Sequence, residues 1–302
     1  MTDRIEFSIA TPTRNALDKL VRCVGAVRGQ RDVTLEHIVQ DACSDDGSAD
    51  WLTRQADARL SYRSERDAGM YDAINRAWSR SQGDYLSWLN ADEQYLPGTL
   101  AKVREFFAAH PDCDVLYGNY IVADPTGRPV ALRREIPFRR RYVANSFLYA
   151  QSCTIFFRRR LYERGLLRLD TGYRYAADMD LMLRLCDAGA RIRHLPDYLA
   201  VFGIDGSNLS THPQAIEETQ RIRRQYGGSG SSLVRAMMLV GRRIERLVHG
   251  CYRPEDVSFL YANDEVPHYL RIQSSRIGGR YALSDVEGRA DRVEPIQHRE
   301  PA

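Results

Sequence analysis

The 302-residue sequence lacks several marks that would have named a class at once. Its six cysteines, Cys23, Cys43, Cys113, Cys153, Cys186 and Cys251, form no CxxC pair, which argues against a zinc knuckle or redox dithiol and for a reduced, cytosolic protein. No stretch approaches the ~18–20 apolar residues that a membrane helix needs, and the opening MTDRIEFSIATPTRN has no apolar signal-peptide core. Any membrane contact is therefore expected from the inner, cytoplasmic face. Neither sign of charge prevails: 43 Lys plus Arg against 40 Asp plus Glu leave +3, too little to imply a nucleic-acid partner. With 21 Gly and 12 Pro, collagen and wholesale disorder are excluded as well. No internal repeat and no Ser-His-Asp or Cys-His pattern stand out.

What is present is alternation. EFSIA (6–10), LEHIV (35–39), Leu60 to Ser64 and YLSWL (85–89) read as short buried strands. Between them, Leu17 to Val27, Ala49 to Ala56 and Met70 to Arg80 carry apolar residues at helical spacing. Strands alternating with helices predict βαβ units and a mostly parallel sheet. The pattern continues with a helix at 100–109, a strand at 114–123, a Pro-Thr-Gly hairpin turn before 128–133, and a helix at 180–188. In such sheets ligands lie beyond the carboxyl ends of the strands, so the turns at Thr11-Pro12, Asp41, Glu65-Arg66-Asp67 and Asn90-Ala91-Asp92-Glu93 should share one edge.

Two segments offer chemistry. Acidic side chains in the Asn90-Ala91-Asp92-Glu93 turn would suit a hard divalent cation holding a phosphate, although ordinary turn chemistry uses the same residues. Asp178, ahead of Leu181 and Leu185, is placed either to cap a helix or to act as a general base, and the two roles are compatible.

Four segments, SIATPTRNALDKLVRCVGAV, DACSDDGSADWL, SERDAGMYDAINRAWSRSQGDYLSWLNADE and YAADMDLMLRLCDAGARIRHLP, resemble in order and spacing the family-two glycosyltransferases of the GT-A fold. The resemblance covers about residues 5 to 210 and implies an inverting transfer of sugar from a nucleoside-diphosphate donor to an acceptor hydroxyl, in surface-polysaccharide or glycan assembly. It implies that Thr11 and Pro12 meet the base and that Asp41 accepts from its imide N–H, favouring UDP- or dTDP-type donors. Asp67, Asn75, Asn90 and Ala91 would line the nucleotide sugar. Asp92 would hold Mn2+ or Mg2+, with Glu93, in place of the usual Asp, as second or water-mediated ligand. Asp178 would be the base, Ala177 standing where many members have Glu. Gln151 would lie on the acceptor side, with Asp180 as a substitute for the base. The acceptor would be a glycan or lipid-linked sugar. A non-catalytic nucleotide-sugar scaffold and a sugar nucleotidyltransferase remain as alternatives. Against the latter, Ala10 to Asn15 is not a Gly-rich basic loop.

The expected organisation is a GT-A domain over 1–212, a helical C-terminal appendage over 213–267, and a flexible tail over 268–302. Within the appendage, Leu233, Met237, Val240, Ile244 and Leu247 form one apolar stripe, while Arg235, Arg242, Arg243 and Arg246 outnumber Glu245. Such a stripe ordinarily packs on protein, here the catalytic domain or a partner subunit in a homo-oligomer. The other use is peripheral contact with an anionic membrane.

Overall fold

A computed structural model of the chain describes residues 4–124, 129–204, 212–253, 255–262, 267–274 and 294–295. The amino-terminal half follows the alternation: β1 (Phe7–Thr13), α1 (Leu17–Arg28), β2 (Leu35–Asp41), α2 (Ser48–Thr53), β3 (Leu60–Ser64), α3 (Met70–Trp78) and β4 (Tyr85–Trp88). All three pairings here are parallel, in the order β3-β2-β1-β4. Helix α3 buries Ile74, Ala77 and Trp78 of the expected apolar face, with Tyr71 buried and the expected Met70 only half-buried. Its Trp78 ring meets Trp88 at 5.7 Å and Phe157 at 5.8 Å, and the indole N–H donates to the Ser87 carbonyl at 3.1 Å. Burial of three large aromatics with the polar handle satisfied fixes the helix against β4.

The second half continues through β5 (Glu93–Tyr95), α4 (Thr99–Ala109), β6 (Val115–Ala123), β7 (Pro129–Arg133), α5 (Arg140–Asn145), a 3-10 turn (Ser152–Thr154), β8 (Phe156–Arg158), α6 (Arg159–Glu163), α7 (Ala177–Asp187) and β9 (Ile192–Gly203). These strands extend the sheet as β4-β8-β6-β9-β5, with β7 paired to β6. Only β6 and β9 are parallel in this half; β8 runs antiparallel to both β4 and β6, and β5 to β9. The sheet is thus mixed, its parallel character concentrated in the first four strands. The expected Pro-Thr-Gly turn falls within residues 125–128, outside the described residues, but the strands on either side pair antiparallel.

Most boundaries differ from the sequence reading by one to three residues, and two of these differences matter to the site. Strand β1 continues through Thr13 rather than stopping at Ala10, and α7 begins at Ala177, three residues before the expected start. After β9 come α8 (Pro213–Gln225) and α9 (Ser232–Val248). Ile222 of α8 is fully buried in the same cluster as Trp78 and Phe157, so this helix completes the main core. From Glu255 the chain is extended: β10 (Glu255–Ala262) pairs antiparallel with β11 (Pro267–Ser274), which also meets β12 (Glu294–Pro295). The segment expected to be a flexible tail therefore contains strand among its described residues; 275–293 and 296–302 lie outside them.

Between α3 and β4, Gly83 donates its N–H to Ser8 Oγ at 2.7 Å, and a Cβ there would lie 2.6 Å from the Phe7 carbonyl carbon. Backbone of the central strand cannot yield as a side chain could. Gly83→Ala should therefore cost about 1–3 kcal/mol, the scale of overpacking, measured as a lower urea midpoint with an unchanged m value.

Candidate active site

Strand β1 is paired on both sides, but unequally. It runs beside β2 from Phe7 to Thr13, and beside β4 only from Phe7 to Ala10. The last bond to that side is Leu89 N–H to Ala10 O at 2.9 Å; beyond it β1 and the chain leaving β4 part. Such a split at the carboxyl edge is where open α/β sheets bind ligands. Pro12 sits within it. Odd-numbered residues of β1 bond towards β2, as Thr13 O does in accepting from Ala42 N–H, and even-numbered ones face β4. The missing N–H of Pro12 therefore falls on the side that β4 has already left, where a proline interrupts no ladder.

Both faces of β1 are covered, and Thr11 lies on the face of Phe7 and Ile9. The sequence assigns its side chain to the base; the structure buries it completely, with Oγ1 2.8 Å from His37 Nε2 and 3.7 Å from Cys23 Sγ. His37 is held neutral, burial pushing its pKa down to about 3. Asp41, paired in register with Thr13 and Ser64, is likewise fully buried. Its carboxylate accepts from Ser44 N–H at 3.1 Å, from the Ser44 hydroxyl, and from Ser64 Oγ at 2.5 Å. Three of roughly four acceptor positions on a carboxylate are thus occupied, leaving one. Asp67 closes its own loop, accepting from Gly69 N–H at 2.9 Å. Asn75 departs from its expected role: Nδ2 donates to Leu169 O at 2.8 Å and Oδ1 accepts from Leu169 N–H at 2.9 Å. Both ends of the amide are spent on holding the segment that leads to α7.

The turn after β4 is closed by Glu93. Its Oε2 accepts from Asn90 N–H at 2.8 Å, and its Oε1 from Ser152 Oγ at 3.3 Å. The side chain is completely buried, and burial followed by the charge of Asp92 pushes its pKa up to about 8. The carboxyl expected as a second metal ligand thus points into the protein. Ala91 is also buried, packed with Leu20, Val24, Val39 and Leu52. Asp92 between them is half-buried, and the buried Oδ1 of Asn90 has no hydrogen-bond partner. Gly203, ending β9, lies so close that a Cβ there would be 2.8 Å from Asp92 O. Through Ser152, the 3-10 turn that starts after Gln151 abuts this acidic turn. Among the described residues no group of three or more His, Cys, Asp and Glu gathers. The donor set instead fits an ion that takes one or two carboxylates and completes its shell from phosphate oxygens and water, as Mg2+ does.

Asp178 stands in the first turn of α7, half-buried, with Oδ1 accepting from Met179 N–H at 2.8 Å. Burial first, and the charge of Glu218 after it, raise its pKa to about 6. Tyr71, at the start of α3, is buried in the same cluster as Ala176, Ala177 and Met179, which packs this helix start against α3. Asp180 is different. It is buried, accepts from Tyr226 Oη at 2.8 Å and pairs with Arg184 at 3.5 Å, so its carboxylate is committed to packing α7 on α8.

One residue that the sequence reading missed is Glu218 of α8. Its carboxylate accepts from three consecutive N–H groups: Arg174 at 2.8 Å, Tyr175 at 2.8 Å and Ala176 at 3.0 Å. These lie immediately before Asp178, so a side chain forty residues downstream in sequence fixes the entry to α7. The sequence signal was present as one Glu on a helix, indistinguishable from its neighbour Glu217.

With the geometry established, residues 8–167 match the family described as glycosyl transferase family 2. The chain belongs to that family. A PGL/p-HBAD biosynthesis glycosyltransferase of Mycobacterium bovis is 33 % identical over 120 residues, 38 % of this chain and 47 % of the relative. An uncharacterized glycosyltransferase of Mycobacterium tuberculosis is 30 % identical over 190 residues, 61 % of this chain and 70 % of that protein. The chain spans about half the length of the first of these curated relatives. Among solved structures, Staphylococcus aureus TarS in complex with UDP-GlcNAc superposes with a TM-score of 0.57 at 18 % identity, over 81 % of this chain and 73 % of that one. The mannosyltransferase PcManGT of Pyrobaculum calidifontis, solved with GDP-Man and Mn2+, gives 0.52 at 18 % identity, over 82 % and 81 %. These likenesses show the fold, a GT-A sheet flanked by helices.

Glu218→Ala removes three charge-assisted bonds at once. Amide hydrogen exchange at residues 174–176 should speed up by about tenfold or more, while exchange in β1 and β2 stays unchanged, as expected for a local opening. Equal acceleration across the sheet would instead make Glu218 a global support.

Proposed function

We propose that the chain is an inverting glycosyltransferase that moves a sugar from a nucleoside-diphosphate donor to an acceptor hydroxyl. The observation that carries this reading is Asp178: a half-buried carboxyl with a pKa near 6 in the first turn of a helix whose entry Glu218 fixes. A group so tuned accepts a proton near neutral pH and is a suitable general base. Asp178 takes the proton of the acceptor hydroxyl, whose oxygen bonds to the anomeric carbon from the face opposite the leaving group. The carbon–oxygen bond to the nucleoside diphosphate breaks in the same displacement, inverting the configuration. Asp92 would hold Mn2+ or Mg2+ beside this leaving group, and Asn90, whose Oδ1 has no partner, would bond the sugar nucleotide. The ion supplies charge stabilisation for the departing diphosphate. Glu93, its carboxyl spent within the turn, sets the position of Asp92.

The resemblance assigns Asp41 to a base imide and favours uracil or thymine donors, which requires this buried carboxylate to be uncovered on binding; the UDP-GlcNAc complex of TarS supports a uracil donor, and the Mn2+ complex of PcManGT supports a divalent ion. The biosynthetic name of the Mycobacterium bovis relative supports an acceptor in glycan or glycolipid assembly, a glycan or a lipid-linked sugar. No described helix is long and apolar enough to cross a membrane.

Asp178→Asn should retain nucleoside-diphosphate binding and lose transfer by about a hundredfold or more, measured with a panel of nucleotide sugars and Mn2+. The sign of the pH effect follows from the raised pKa. The fold favours the neutral carboxyl, so below its unfolded pKa the group adds stability, and that contribution is lost as pH rises through about 6. At pH 8 Asp178→Asn should accordingly raise the melting temperature while it removes activity, and wild-type transfer should fall as pH drops below about 6. Unfolding of the variant with no specific loss of turnover would reduce Asp178 to a structural group.

Asp92→Ala should keep the fold and abolish the thermal shift that Mn2+ adds to donor binding. Unchanged Mn2+ dependence in that variant would move the metal elsewhere. Pyrophosphate exchange would point to the nucleotidyltransferase, and silence with every donor to the scaffold.

A further inference from the structure

Helix α9 is oriented against the ordinary expectation for its sequence. Leu233, Met237, Val240, Ile244, Leu247 and Val248 are 53–78 % exposed, and they follow one another along a single face of about 25 Å. The opposite face, which meets the protein, carries cations. Arg242 is buried in an ion pair with Glu135 and lies over the rings of Tyr149 at 4.7 Å and Phe147 at 5.1 Å. Arg246, also buried, donates to Arg134 O at 2.9 Å and covers Tyr252. Glu245 bonds Arg139 at 2.7 Å. Rolling the helix to hide its apolar stripe would tear Arg242 from Glu135 and leave a buried carboxylate without a counter-charge. The inward arginines therefore hold the stripe outward.

We infer that this face of α9 docks on an anionic lipid surface. The charge around it is complementary. Arg243 is exposed on the helix at the edge of the stripe, and Arg141 of the neighbouring α5 is 65 % exposed. Glu245, the acidic residue of α9, is already neutralised by Arg139. An apolar strip bordered by arginines is the composition that lies in the headgroup boundary of a negatively charged bilayer. A second copy of the chain fits less well. A twofold contact would set each arginine rim against its own image, and one helix face falls short of the ~800 Å2 per partner of a stable interface. The inference goes beyond the transferase reading and stands without it, because its test reads vesicle binding.

The full chain should float with phosphatidylcholine vesicles that contain phosphatidylglycerol and remain behind with phosphatidylcholine alone. Binding should fall about tenfold or more when salt is raised to about 0.5 M, where screening shortens to less than ~5 Å. Met237→Glu should lose binding by a similar factor, and Arg243→Glu should weaken it, with melting temperature unchanged in both because the two side chains are exposed. Failure to bind anionic vesicles overturns the inference. So does a dimer that Met237→Glu separates in light scattering, which would give the face to a second copy, or a Met237→Glu variant that melts earlier as a monomer, which would give it to the chain's own remaining residues.

Discussion

The unequal pairing of β1 is the constraint from which the rest of the site follows. Four residues bonded on both sides make β1 the least yielding strand of the sheet; three more bonded only to β2 open a crevice at its end. Into that crevice the chain from β4 must turn, and every group assigned to chemistry is placed by where that turn and its neighbours can go. The crevice owes its shape to backbone hydrogen bonding, which is why side-chain variation around it can be tolerated while the site persists.

Around this opening, charge is handled by two contrasting arrangements. At Glu93 a carboxyl is removed from water altogether and given two donors, which makes it a piece of turn architecture. At Asp178 a carboxyl is only half removed, so that it can still exchange a proton. Glu218, with no place at the crevice, is tied to both themes: it satisfies the backbone before α7 and adds negative charge near Asp178. One side chain thus positions the helix entry and adds to a proton affinity that burial chiefly sets, on a helix that a reading of motifs alone would assign to the periphery.

Much of this was legible in the sequence. The parallel half of the sheet followed from alternating periodicities, and the family followed from four ordered segments. What escaped had definite physical causes. Ending β1 at Ala10 concealed that Thr11 belongs to a strand whose every residue is buried. The antiparallel strands β5 and β8 are three residues each, too short to show a period. Asn75 and Glu218 act on backbone ninety-four and about forty residues away, and pairing at such separations leaves no local pattern. The stripe on α9 was legible as a stripe, but its direction was decided by Arg242 and Glu135, whose partnership only the tertiary structure displays.

The close approach of Gly203 to the carbonyl of Asp92 has a consequence for anyone who varies this enzyme family by design. Position 203 looks like the start of a replaceable connection after a strand, the kind of site at which libraries are commonly diversified. Here any larger residue would push on the main chain of the acidic turn itself, since the contact is with an oxygen that has no rotamer to change. A library opened at 203 would therefore sample displacements of the Asp92 main chain as much as changes at position 203 itself.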